Sequence, residues 1–265
     1  MEDAGVIIMR IMTRKSYFLI FLLSTIFLTS CARVPVKPTP IAEYDVYMKE
    51  PLPVLRQDVF HVVGPGETLW RIAKMYDVTV DDVMRANRLK DSELKMGQRL
   101  LIEGASPIEP VVPLYPSNKW KYIIIHHSAT DEGSALSFYK YHRFRGWETL
   151  GYHFVIDNGS HRKQDGQIEV SPRWIKRQDG SHCKAGSMNC RAIGICLVGN
   201  FNTEKVSDKQ MSSLVYLVNT LKKYYKIPVR NIIGHGQVEG AKTECPGKNF
   251  PWDLFYLKLK EEAND

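Results

Sequence analysis

Two stretches of this chain cannot form regular structure, and they divide it into pieces that must each bury their own core. Residues 32–57 include Arg-Val-Pro-Val-Lys-Pro-Thr-Pro and show no amphipathic period, and residues 104–117, GASPIEPVVPLYPS, hold four prolines. Proline lacks the N–H that helices and sheet ladders use, so both stretches read as extended connectors. The chain then resolves into residues 1–30, a tether at 31–57, a module at 58–103, a linker at 104–118 and a main domain at 119–265. A composition of 44% hydrophobic and 25% charged residues excludes collagen-like, wholly disordered and polytopic membrane chains. The surplus of 36 Lys and Arg over 29 Asp and Glu is too small to name a partner, and no nucleic acid is expected as one. Five cysteines are an odd number, so they cannot all pair with one another.

The apolar run YFLIFLLSTIFL, Tyr17 to Leu28, is shorter than the roughly 18 to 20 residues that span a bilayer. Arg14 and Lys15 precede it and small residues lead into Cys31, the order of an export signal over residues 1–30. Leu-Thr-Ser-Cys resembles the lipobox of bacterial lipoproteins. That resemblance implies cleavage before Cys31, lipidation of its sulfur and an extracytoplasmic chain anchored to a membrane. Ala32 after the cysteine, by analogy with lipoprotein sorting, points to the outer membrane where a host has two.

In residues 58–103 a short strand, DVFHVV, meets the turn Gly64-Pro65-Gly66. A helix opening at Glu67 and Thr68 carries Leu69, Ile72 and Ala73 on one face. A second helical stretch at Val80–Asn87 and a last strand, RLLI, complete a βααβ unit near the lower size limit for an independent core. With its GETL, IA, N and GQ-L-I landmarks, the unit resembles a LysM domain. This implies binding to N-acetylglucosamine-containing glycans such as peptidoglycan, in a shallow groove near the loops after the first strand and before the last.

From Trp120 onward apolar strands alternate with helices, which predicts an α/β domain with a mixed central sheet flanked by helices. Strands are expected at 122–125 (YIII), 152–156 (YHFVI) and 193–198 (IGICLV). A long helix is expected from Ser207, boxed with Gln210, to Tyr225, and shorter ones at 134–145 and 251–262. Of the eight histidines, His126 stands out because it closes a strand, with His127 forced to the opposite face. His235 sits between two glycines after Ile232 and Ile233, and Cys245 follows in Thr-Glu-Cys-Pro-Gly. Two imidazoles and a thiolate make a three-ligand set for Zn2+ with the fourth position open to water, whereas a structural zinc wants four protein ligands.

The segment Trp120 to about Lys260 resembles the zinc-dependent N-acetylmuramoyl-L-alanine amidases of the phage-lysozyme and peptidoglycan-recognition-protein type. It does so through IIIHHSAT, GYHFVIDNG, SHC with AIGICLVGNF, and GHG with TECPG. The resemblance implies zinc ligands at His126, His235 and Cys245, a catalytic Tyr152, an assisting Thr243, and His182 as a substrate contact lining the groove. It also implies hydrolysis of the bond between N-acetylmuramic acid and L-alanine. The alternatives are a non-catalytic peptidoglycan receptor and an amidase of soluble muropeptides. Some family members have Lys two places before the ligand cysteine; here Thr243 stands there and Lys242 precedes it. Cys196 occupies a strand position where the cytoplasmic anhydromuropeptide amidases carry glutamate, which argues for the tyrosine type. Cys196 reads as a small buried hydrophobe, and Cys183 and Cys190 share a segment in which a disulfide would be open to them.

Overall fold

The computed structural model describes residues 54–261, so the export signal, Cys31 and most of the tether lie outside the described residues. In the first module β1 (Gln57–Val62) pairs antiparallel with β2 (Arg99–Ala105), and α1 (Leu69–Met75) and α2 (Val80–Ala86) lie between them in sequence. Thr68 starts α1 by accepting the Arg71 N–H, and Thr79 starts α2 in a capping box with Asp82. The βααβ order is as the sequence predicts, with Leu69, Ile72 and Ala73 in a core completed by Met75, Val83, Leu100 and Ile102. Asn87 fastens α2 to β2: its amide donates to Val83 O and Leu101 O at 2.8 and 2.7 Å, and its carbonyl accepts the Leu101 N–H at 2.8 Å.

The proline-rich segment after β2 is irregular but not free. Ile108 and Val111 pack on the small core, while Val112, Leu114 and Tyr115 pack on the large one. Trp174 donates to Pro113 O at 2.7 Å, and the Tyr225 hydroxyl donates to Tyr115 O at 2.9 Å. It is a strap bound along its length, and both modules belong to one compact unit.

The main domain holds a five-stranded sheet in the order β5-β4-β6-β3-β7: β3 (Tyr122–His127), β4 (Phe154–Asn158), β5 (Asp165–Val170), β6 (Ala192–Leu197) and β7 (Ile232–Gly234). It is mixed, because β3, β4, β6 and β7 run parallel while β5 is antiparallel to β4. The helices are α3 (Ala135–Phe144), α4 (Pro172–Ile175), α5 (Met188–Arg191), α6 (Asp208–Tyr225) and α7 (Trp252–Glu261). Side-chain alternation sorts the layers. Ile123, Ile125, Phe154, Ile156, Ile193 and Ile195 meet α6 and α7 in the large core, while Ile124 and Val155 face the other side. Ser207 and Gln210 box the start of α6 as expected, and Gln210 also donates to Val198 O at 2.8 Å.

Three expectations change. The strand expected at 152–156 starts at Phe154, because Gly151–His153 bends before joining the ladder. Strands β5 and β7 were not foreseen: β7 has three residues, and the buried Gln167 and Glu169 interrupt the apolar pattern of β5. Cys183 and Cys190 are unbridged, one buried with its thiol on Ala185 O and the other exposed with its thiol on Ser187 O.

Glu169 belongs to a buried charge cluster where the modules meet. Lys163 pairs with Glu169 at 2.7 Å, both side chains 2% exposed, and also donates to Val62 O of β1 at 2.9 Å. The other Glu169 oxygen accepts the Ala135 N–H at the start of α3 at 2.6 Å. From the first module Glu67 meets His61 at 2.8 Å and accepts the Gly64 N–H. Burial alone would raise the Glu67 carboxyl, but the charges of His61, Lys163 and Arg71 hold it well below the usual carboxylate range.

Candidate metal centre

His126, next to last in β3, lies on the face of Ile124, and His127, which ends the strand, on the face of Ile125. Strand β7 lies beside β3, with Ile125 opposite Gly234, so the next residue, His235, emerges next to His126. The loop bearing Cys245 closes on this edge because Gly236 lets it: its N–H donates to Cys245 O at 2.7 Å, and a Cβ there would stand 2.4 Å from Thr243 O. One ligand atom from each of His126, His235 and Cys245 then lies within 4.8 Å of the others. The Cys245 sulfur is 3.6 Å from His126 Nδ1 and accepts the His127 N–H at 3.4 Å.

The His126 tautomer follows from its neighbours. His182 Nε2 lies 3.3 Å from Ala192 O, which can only accept, so Nε2 carries the proton and Nδ1 is the acceptor. His126 Nε2 therefore donates to His182 Nδ1 at 3.0 Å, which leaves its Nδ1 lone pair facing Cys245. Burial holds both rings neutral, pushing His182 down to about 3. His182 was expected in the groove. The structure instead buries it behind His126, in space left by Gly194, where a Cβ would meet the His182 ring at 2.4 Å. His153 supports the same floor, accepting the Gly194 N–H at 2.9 Å and sitting 3.2 Å from Gln178 O.

Tyr152, half-buried, has its ring centroid 5.3 Å from that of His126. Its hydroxyl lies beside the Cys196 thiol, and burial, then the sulfurs of Cys196 and Cys245, push its pKa well above 10. It therefore stays a proton donor. Thr243 is exposed, and its Oγ accepts the Cys245 N–H at 3.2 Å, which leaves its own proton free; Lys242 is exposed beside it. Sequence reasoning placed Cys196 in the core, where it is fully buried, but missed its contact with Tyr152. The signal was there: alternation puts Cys196 on the face of Gly194, and its register partner is His126.

Two imidazole nitrogens and a sulfur suit zinc among divalent metals, and three protein ligands leave a fourth position for water or substrate. Burial raises the Cys245 thiol to about 12, so a bound cation is what would make it a thiolate ligand.

Residues 116–248 match the family described as N-acetylmuramoyl-L-alanine amidase, and residues 61–103 match the LysM domain. The chain is similar to peptidoglycan-recognition protein SC2 of Drosophila melanogaster, 30% identical over 143 residues, which cover 50% of this chain and 71% of that protein. It is also similar to the endolysin of Escherichia phage T7, 33% identical over 151 residues, 54% of this chain and 86% of the endolysin. Among solved structures, the endolysine N-acetylmuramoyl-L-alanine amidase LysCS from Clostridium intestinale URNW is 36% identical, covers 54% of this chain and 84% of its own, and aligns with a TM-score of 0.45.

Proposed function

The chain belongs to the N-acetylmuramoyl-L-alanine amidase family, and on that premise we propose that it hydrolyses the amide between N-acetylmuramic acid and L-alanine in peptidoglycan, with zinc held by His126, His235 and Cys245. The observation that carries the reading is the convergence of those three donors within 4.8 Å. A receptor that only binds peptidoglycan has no need of a buried thiol between two imidazoles.

Zinc bound at this set would polarise the scissile carbonyl and bring the pKa of its water towards about 7. The chain's own residues do the rest. The carbonyl of Ala192 orients His182, which orients His126, so that the ligand lone pair is presented without rearrangement. Tyr152, protonated and beside His126, donates to the carbonyl oxygen as that oxygen gains charge. Thr243, whose proton is uncommitted, is the second donor. The LysM domain holds the enzyme on its glycan. In the same proposal Cys31 carries a lipid anchor outside the cytoplasm, which labelling of the full chain with a fatty-acid analogue tests through Cys31→Ser.

Metal removal is the decisive test. Chelation should abolish release of stem peptides from sacculi, and zinc should restore it, with one zinc per chain by mass spectrometry. Activity indifferent to chelation overturns the proposal.

A further inference from the structure

Where the modules meet they leave a cleft of about 380 Å³ that the amidase chemistry does not use. The first module lends it Gly97 and Arg99, and the main domain lends it Ser134, Lys140, His161 and Arg162. Arg99, Lys140, His161 and Arg162 are all exposed, and among the described residues neither Lys140 nor Arg162 has an acidic partner within ion-pair distance. Glu132 lies 3.8 Å from His161, Arg99 stacks on the Phe60 ring at 3.5 Å, and the buried Lys163 in the cleft wall is paired with Glu169. Ser134 caps the start of α3 here, and the Ala135 N–H at that helix end is already taken by the buried Glu169 carboxylate. The cations are also placed at a conformational cost: His161 and Arg162 are consecutive non-glycine residues at φ 51 and 62.

We infer that this cleft is a second binding subsite, which takes the carboxylate-bearing stem peptides of polymeric peptidoglycan and favours the polymer over soluble fragments. The inference rests on the amidase reading. Its walls come from both modules, held together by the Lys163 bond to Val62 O and by the strap, so the cleft has a fixed place relative to the metal centre. Helix α3 joins the two. Its first half lines the cleft, and its last turn places His142 with its ring 5.8 Å from Tyr152, on the order of 10 Å further along the axis. A strand positioned for cleavage at Tyr152 thus carries its other carboxylates past Lys140 and Arg162, which have no acidic partner of their own among the described residues. A minimal substrate that ends near the scissile bond has nothing to place there.

The test is the full zinc-loaded chain with Lys140→Gln and Arg162→Asn together. Both positions are exposed, and asparagine tolerates the backbone at Arg162. On sacculi kcat/KM should fall roughly three- to tenfold at low salt, and the gap should close as salt is raised. Turnover of a soluble muramoyl dipeptide should be unchanged. Equal activity of variant and parent on sacculi, or a parallel fall on both substrates, overturns the inference. Should neither protein cut either substrate, the amidase reading has failed on its own. Sedimentation of the chelated chain with sacculi then decides the cleft: weaker sedimentation of the variant supports it, and equal sedimentation overturns it. Loss of binding confined to anionic phospholipid vesicles would assign the cations to a membrane and overturn it too.

Discussion

The molecule buries two polar centres, and they are built on opposite principles. Where the modules meet, Lys163 and Glu169 face each other at 2.7 Å and Glu67 meets His61 at 2.8 Å, so buried carboxylates lie against side chains of opposite or complementary character within the chain. At the sheet edge, His126, His182, His153 and Cys245 are neutral lone-pair bearers held close by burial. The first centre ties the two modules together through Lys163, which bonds Glu169 and Val62 O. The second leaves one ligand atom each of His126, His235 and Cys245 within 4.8 Å of the others, the set that the proposed zinc would occupy.

Breaking one partner of the balanced centre should have the largest effect on stability. Lys163→Met leaves buried carboxylates uncompensated and should cost about 3–5 kcal/mol in urea denaturation with zinc content unaltered. Adding Glu169→Gln should recover part of it. A loss below about 1 kcal/mol would mean that water reaches the cluster. At the other centre Tyr152→Phe should lower kcat on the order of 100-fold while zinc binding stays as it is, since the ring packing survives and only the donor goes. A change under about threefold would make Tyr152 a packing residue. The smallest effect is expected behind the ligand: His182→Phe should weaken zinc binding by about 10- to 100-fold in competition with a chromogenic chelator. His182→Gln, whose carbonyl can still accept the His126 proton, should regain some of that affinity. Identical affinities for the two variants would show that His182 only fills space.

Much of this architecture is legible in the chain. The run of isoleucines before His126 announces a buried strand, and alternation assigns His126 and His127 to opposite faces, as found. The capping box at Ser207 and the apolar stripe through Leu214 and Leu221 define α6 closely. What escaped has a common cause. Strand β5 reads as polar because Gln167 and Glu169 are buried in it, and the α3 amide that Glu169 accepts from comes from 34 residues away, while Lys163, just before the strand, meets it only once the strand is folded. His182 was assigned to the groove because nothing near it in sequence reveals the gap at Gly194. The prolines after β2 correctly forbid regular structure, but they say nothing of the tryptophan and tyrosines that bind the strap down.

The sequence by itself determined the kinds of atom available: two imidazoles and a thiol at strand ends and glycine turns, and connectors whose prolines lack backbone donors. Only the tertiary structure decided which of them meet. His126 and Cys245 are 119 residues apart and come together because β7 pairs with β3 and Gly236 admits the returning loop. The physical reason is one of range. Backbone preference and side-chain periodicity act over a few residues, whereas burial, tautomer and ion pairing depend on whatever atoms arrive from far along the chain.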